Sequence, residues 1–259
     1  MLLEFWQNYE PYDFHPEDKE YFQKENLRSH IVNASIDQVI EEFGSNLRSI
    51  EVNQSFKTKI ENEKRIIRRL MPSPFVGDIM NAKIYILSGN PGFHTGDFID
   101  EYQNPEYRKL VADNLSGKLL EFFYADEKAE GTGAYNYWYP QIAAIAKDVA
   151  EKANYSLDIA MTLTLSKIAL IESFPYHSYR KPEIKFADVP SSVVAKSFVN
   201  SICKQRLNNN ECLILAWRMV DFWNVPAHKN LISRPKHLAN RKILPDEIKK
   251  ISDFIIGHF

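Results

Sequence analysis

Three short apolar runs stand out from a chain whose other apolar residues recur every three or four positions. They are AKIYILSG from Ala82, KIALIESFP from Lys167 and ECLILAW from Glu211. Runs this short, bounded by Gly, Pro or Trp, predict strands buried on both faces. HKNLIS, from His228, predicts a fourth. Between them, helical spacing marks SIDQVIEEFGSNLRSI, FKTKIENEKRIIRRLM, NPEYRKLVADNLSGKLLEFFY, WYPQIAAIAKDVAEKA, SSVVAKSFVNSICKQRL and LPDEIKKISDFIIGHF. The second should stop at Pro72 and Pro74, because proline disfavours helix in the residue before it. ADEKAEGTGAYN reads as a loop, and the last segment opens on Pro and two acids, a good helix start.

Apolar strands alternating with helices predict an α/β fold, a three-layer α/β/α sandwich around a central, mostly parallel four-stranded sheet. No linker splits the chain. Residues 1–65 read as a helical and irregular N-terminal extension, its aromatic-rich first 30 residues wrapped against the core, and 66–259 as one compact unit.

At 259 residues, 44% hydrophobic, the chain is long enough for a sizeable core. No apolar run approaches the ~20 residues that span a bilayer, and the acidic, aromatic start lacks the plan of a signal peptide. The expectation is a cytoplasmic monomer without membrane contact. Cys203 and Cys212 fall in separate elements and read as buried thiols. None of the familiar metal-ligand spacings occurs, so neither metal nor cofactor is expected. A net charge of −2 still leaves room for local basic patches, and KRIIRR, HSYRKPEIK and SRPKHLANRK supply three.

Parallel sheets bind ligands beyond the carboxyl ends of their strands. That directs attention to Asn90, Glu172, Trp217 and the loop from Ser233 to Leu238. The first strand runs into Gly89-Asn90-Pro91-Gly92-Phe93. Pro-Gly favours a type II turn, and neither a dinucleotide fingerprint nor a P-loop lysine is present.

The block from Pro72 to Phe93 resembles the first motif of the uracil-DNA glycosylase superfamily, in the branches whose strand ends in Asn-Pro-Gly. The resemblance covers about residues 70–245. It implies a DNA glycosylase that hydrolyses the bond between sugar and a flipped-out pyrimidine, leaving an abasic site. By the same resemblance Asn90 holds the hydrolytic water against C1′, Gly89, Pro91 and Gly92 shape the turn, and Phe93 walls the pocket. SRPKHLANRK is similar to the family's closing loop, with Pro235 and Leu238 matching. Arg234 stands where a histidine is expected and His237 where a second proline is. Either Arg234 or His237 is left to stabilise charge on the base's O2, a catalytic role. Leu238 would be the wedge that fills the vacated helix, with Ser233, Lys236, Arg241 and Lys242 as further DNA contacts.

The resemblance also implies that Glu172 stands at the position that reads the pyrimidine's N3–C4 edge, where uracil-specific branches have asparagine. A carboxylate only accepts, so it suits the exocyclic amine of a cytosine and opposes uracil O4. A modified cytosine such as a hypermodified phage base is therefore favoured over uracil, although a protonated Glu172 would serve uracil. Pairing of Glu172 with Arg180 or Lys181 is the bland alternative. Phe174 is a stacking candidate, and His177 a general acid, base contact or turn residue. Trp217 and Trp223 read as packing. Two rival functions stay open: an N-glycosidase or deoxyribosyltransferase on free nucleosides, with Glu172 as nucleophile, or a catalytically silent nucleic-acid-binding relative.

Overall fold

The computed structural model describes residues 1–7, 9, 12–32, 64–93, 96–235 and 242–258. Its centre is a five-stranded sheet. Strands β4 (Ile84–Ser88), β5 (Ile168–Glu172), β6 (Leu213–Ala216) and β7 (Leu231–Ser233) are parallel, in spatial order β5-β4-β6-β7. A two-residue strand, β3 (Phe75–Val76), adds an antiparallel edge beside β5. Every residue of β4, β5 and β6 is buried, which is why these runs carry no polar alternation. The four-stranded parallel sheet is thus present, and the fifth strand comes from the proline-rich entry, where Glu172 N donates to Pro74 O at 2.9 Å.

Helices cover the sheet. Leu2–Trp6 (α1), Pro16–Lys24 (α2), Asp97–Tyr102 (α3), Pro105–Leu115 (α4), Gly133–Ala153 (α5), Leu157–Lys167 (α6), Pro190–Phe198 (α7), Lys204–Asn208 (α8), Val220–Trp223 (α9) and Pro245–Ile256 (α10) follow in chain order. Helix α5 packs with α6 and α10, while α7 packs with α1 and α2. A π-helical turn, Val199–Cys203, joins α7 to α8 where one continuous helix was expected. Helix α4 stops at Leu115, far short of the expected Tyr124, because Gly117 takes the left-handed conformation (φ +74°) and turns the chain.

One expectation near the N-terminus needs correction. The helix expected over 56–71 is absent from its described part: Ile66–Ile67 (β2) pairs in parallel with Ile31–Val32 (β1). The described residues of the N-terminal segment pack on the rest of the chain. Leu2, Trp6, Phe14 and Phe22 belong to the main core, and Asp18, fully buried, accepts from Tyr176 Oη (2.6 Å) and Ser191 N (2.9 Å). The first 30 residues do wrap the core, largely as α1 and α2. The helix expected from Ser35 lies outside the described residues. Cys203 and Cys212 are buried and unbridged. Among the described residues no helix is long and apolar enough to cross a membrane.

Candidate functional site

The sheet's connections diverge at β4. Its own connection leads to β5 on one side, whereas β6, its other neighbour, leads away to β7. Such a switch point opens a crevice beyond the carboxyl ends of the two central strands. Here it holds a cavity of about 270 Å³. Asn90 and Phe93 reach it from the segment after β4, Glu172 from the end of β5, and Trp217 and Arg218 from the end of β6. The opposite wall comes from α3, Tyr124 and the first turns of α5. Leu87 O accepts from both Trp217 N (2.9 Å) and Arg218 N (3.1 Å), fastening the end of β6 to that of β4.

Asn90 is held in one orientation. Its Nδ2 donates to Pro91 O (2.9 Å) and Ser178 Oγ (2.8 Å), and Ser178 Oγ in turn donates to Arg180 O (2.7 Å). Because the Ser178 proton is directed at a carbonyl, its oxygen must accept from Asn90, which fixes which amide atom is nitrogen. No described group donates to Oδ1. The turn is not type II, because Gly92 is not among the glycines with positive φ. A Cβ at Gly92 would meet nothing within 4 Å, and one at Gly89 would make only ordinary contacts. Gly89 instead binds through its carbonyl, which accepts from Phe174 N (2.9 Å) and Ser173 Oγ (2.5 Å).

Glu172 is 4% exposed and pairs in register with Ser88 on β4. Its Oε2 is buried without a hydrogen-bond partner. Burial pushes its pKa up to about 7, against the Arg218 charge and a Ser88 hydrogen bond, which both pull it down. At neutral pH both its acid and its carboxylate forms are therefore populated. The bland pairing weighed for it, with Arg180 or Lys181, does not occur; the cation that acts on it is Arg218.

His177 also lines the cavity, but both ring nitrogens face carbonyl oxygens, Nδ1 at 2.8 Å from Gly92 O and Nε2 at 3.2 Å from Met71 O. Burial lowers its pKa while those carbonyls favour the proton. The ring ties the Asn-Pro-Gly turn to the Met71 segment, which matches the turn role among those considered for it. Phe93 walls the cavity, edge-on to Phe98 at 5.6 Å. Phe174 does not reach it: fully buried, it stacks on Phe186 at 4.7 Å and is core.

Arg234 needs the largest correction. It is 3% exposed, and its Nε donates to Glu247 Oε1 at 2.7 Å while Nη2 bonds Glu247 Oε2 and Lys242 O. Its guanidinium also lies 4.9 Å over the Trp217 ring. The side chain does not line the Asn90–Glu172 cavity. It anchors the chain between β7 and α10, so the catalytic role expected of it has no support in its geometry. It borders a second, larger cavity of about 640 Å³, which shares Trp217 and Arg218 with the first and adds Lys181, Ser233 and Pro235. Lys242 is exposed and serves Arg234 through its carbonyl. Lys236, His237, Leu238 and Arg241 lie outside the described residues.

Trp223 is packing, as expected, its Nε1 donating to Ser88 O at 3.0 Å. Trp217 is buried too, yet it forms part of the wall between the two cavities, with Tyr137 stacked 6.3 Å away. Sequence reasoning missed Ser178, Arg218, Tyr137 and the acids of α3. Arg218 alone carried a readable signal, as the first residue past an inspected strand end. Comparisons of the chain with family models, with curated proteins and with solved structures find no match.

Proposed function

We propose that the protein is a DNA glycosylase that hydrolyses the N-glycosidic bond of a pyrimidine swung out of the helix, as the resemblance of its Asn-Pro-Gly block implies. The observation that carries this reading is one cavity wall. An asparagine whose amide nitrogen is tied down, and whose Oδ1 accepts from no described group, lines the same small cavity as a buried carboxyl with one unpartnered oxygen. At about 270 Å³ the cavity falls just below the ~300–1,000 Å³ range of sites for drug-sized ligands, and suits a single base.

In this mechanism Asn90 Oδ1 accepts a hydrogen bond from a water and aims its oxygen at C1′. The C1′–N1 bond breaks toward an oxocarbenium-like sugar and an anionic base. The water's oxygen bonds to C1′, and its proton passes to solvent or to the departing base. Arg218 is the cation on this cavity's wall and takes over the charge-stabilising role that Arg234 cannot fill. The acid form of Glu172 donates and accepts at once, so it pairs with either the N3–N4 edge of a cytosine or the N3–O4 edge of a uracil. The carboxylate form serves only the cytosine amine. The second cavity, with Lys181 and Arg218 on its wall, receives the flanking strand.

The test is incubation with DNA carrying uracil, 5-hydroxymethylcytosine, glucosylated cytosine or no modification, scored for alkali-labile abasic sites. The expected result is abasic product from at least one modified pyrimidine and none from unmodified DNA. Base release from free nucleosides alone would favour the N-glycosidase or transferase alternative. Saturable DNA binding without product on any substrate would favour the silent relative.

A further inference from the structure

The cavity carries more carboxyl groups than breaking an N-glycosidic bond uses. Asp97, Asp100 and Glu101 share one face of α3, at spacings where like charges destabilise a helix. Two of them answer to a structural need. Asp100 Oδ2 accepts from Gly133 N at 2.8 Å, and a Cβ on Gly133 would lie 2.9 Å from Asp97 Oδ1. Both acids thus sit at the N-terminus of α5, where negative charge is favoured.

Glu101 has a backbone tie at one oxygen only, and not to α5. It is 4% exposed, its Oε2 accepts from Met71 N at 2.9 Å, and no described group donates to its other oxygen. Burial first, and then the nearby Asp97 and Asp100, push its pKa well up, against the Met71 N–H bond and, more weakly, the Arg108 charge. Independently, Glu172 lines the same cavity from β5, and its Oε2 is buried without a hydrogen-bond partner. Much of the wall between is aromatic, with Phe93, Tyr107, Tyr124 and Trp138. Spare carboxyl oxygens among aromatic faces recognise an ammonium group, which offers three donors and a full charge.

Resting on the glycosylase reading, we propose that the substrate base is a pyrimidine with an amine-bearing substituent, its ring edge read by Glu172 and its ammonium held by Glu101. The two carboxyls thereby sort the two ends of one ligand.

The probes are two free nucleosides, 5-(3-aminoallyl)-2′-deoxyuridine and its N-acetyl derivative, which differ little in shape but greatly in charge. Binding of each to the whole protein is measured by calorimetry at pH 7. The amine is expected to bind about tenfold tighter, the scale of a hydrogen bond to a charged group. Glu101→Gln keeps an acceptor for Met71 N and should abolish that preference. Should Glu101→Gln not fold, the half-exposed Asp97→Asn should lower the preference two- to threefold, roughly the effect of a more distant charge. Equal binding of the two nucleosides, or binding of neither, overturns the proposal. Base release from matched DNAs is scored separately. Amine preference without abasic product would sink the glycosylase reading and leave the ammonium site standing, and abasic product without preference would do the reverse.

Discussion

Glu172 and Arg234 invite comparison. Both are ionisable, both are almost fully buried, and both sit at the carboxyl end of a parallel strand in the same sheet. Arg234 is satisfied: a carboxylate, a carbonyl and an aromatic face take up its charge. Glu172 is not, and one of its oxygens meets no donor at all. A buried polar atom left without a partner costs free energy in every folded molecule. Beside a cavity, that unmet acceptor is what the proposed reading assigns to a ligand, whereas a satisfied charge asks for nothing beyond the fold.

The contrast can be broken most forcefully at Arg234. Arg234→Ala strands Glu247 in the interior and should cost about 3–5 kcal/mol of stability, read by denaturant unfolding. If stability is unchanged while base release disappears, Arg234 belongs to the chemistry after all. Ser178→Ala frees the Asn90 amide to turn over. We expect roughly a tenfold loss of base release for about 1 kcal/mol of stability, and unaltered activity would show that the relay orients nothing that matters. Glu172→Gln should shift preference from cytosine-type toward uracil-type bases with little loss of stability, since it keeps an acceptor for the Ser88 bond and removes a buried carboxyl whose Oε2 has no partner. An unchanged substrate profile would count against its reading role.

The pH dependence should show the smallest effect. Burial raises the Glu172 pKa from its ordinary value near 4.5 to about 7. Between those values the folded state holds a proton that the unfolded state has lost. Its stabilising share is therefore complete below the unfolded pKa and fades as pH rises through about 7. Over the same interval the carboxylate form grows, and the ratio of uracil-type to cytosine-type release should fall. Glu172→Gln should flatten both trends, and a ratio that rises with pH would refute the assignment.

The strands were legible because they are short, wholly apolar and bounded by Gly, Pro or Trp, and their carboxyl ends led directly to Asn90 and Glu172. Ile66–Ile67 was misread because KRIIRRLM satisfies helical spacing, while its true partner, Ile31–Val32, lies more than 30 residues away in the chain. No local pattern encodes such pairing. Arg234 was misread for a similar reason. A basic loop suggested phosphate or substrate, and nothing in the loop announces that Glu247, on the closing helix, neutralises it. Ser178 and Glu101 were invisible singly, one a common serine and one an acid in an acidic stretch. What makes them matter is the atoms they meet.

The central claim is that Asn90 positions the attacking water and does little else. Single-turnover base release and DNA affinity, measured together for the native protein and Asn90→Ala, test it most directly. The account predicts that release falls by about 10²–10³ while affinity holds. Loss of both in parallel, or release that survives the substitution, would contradict it.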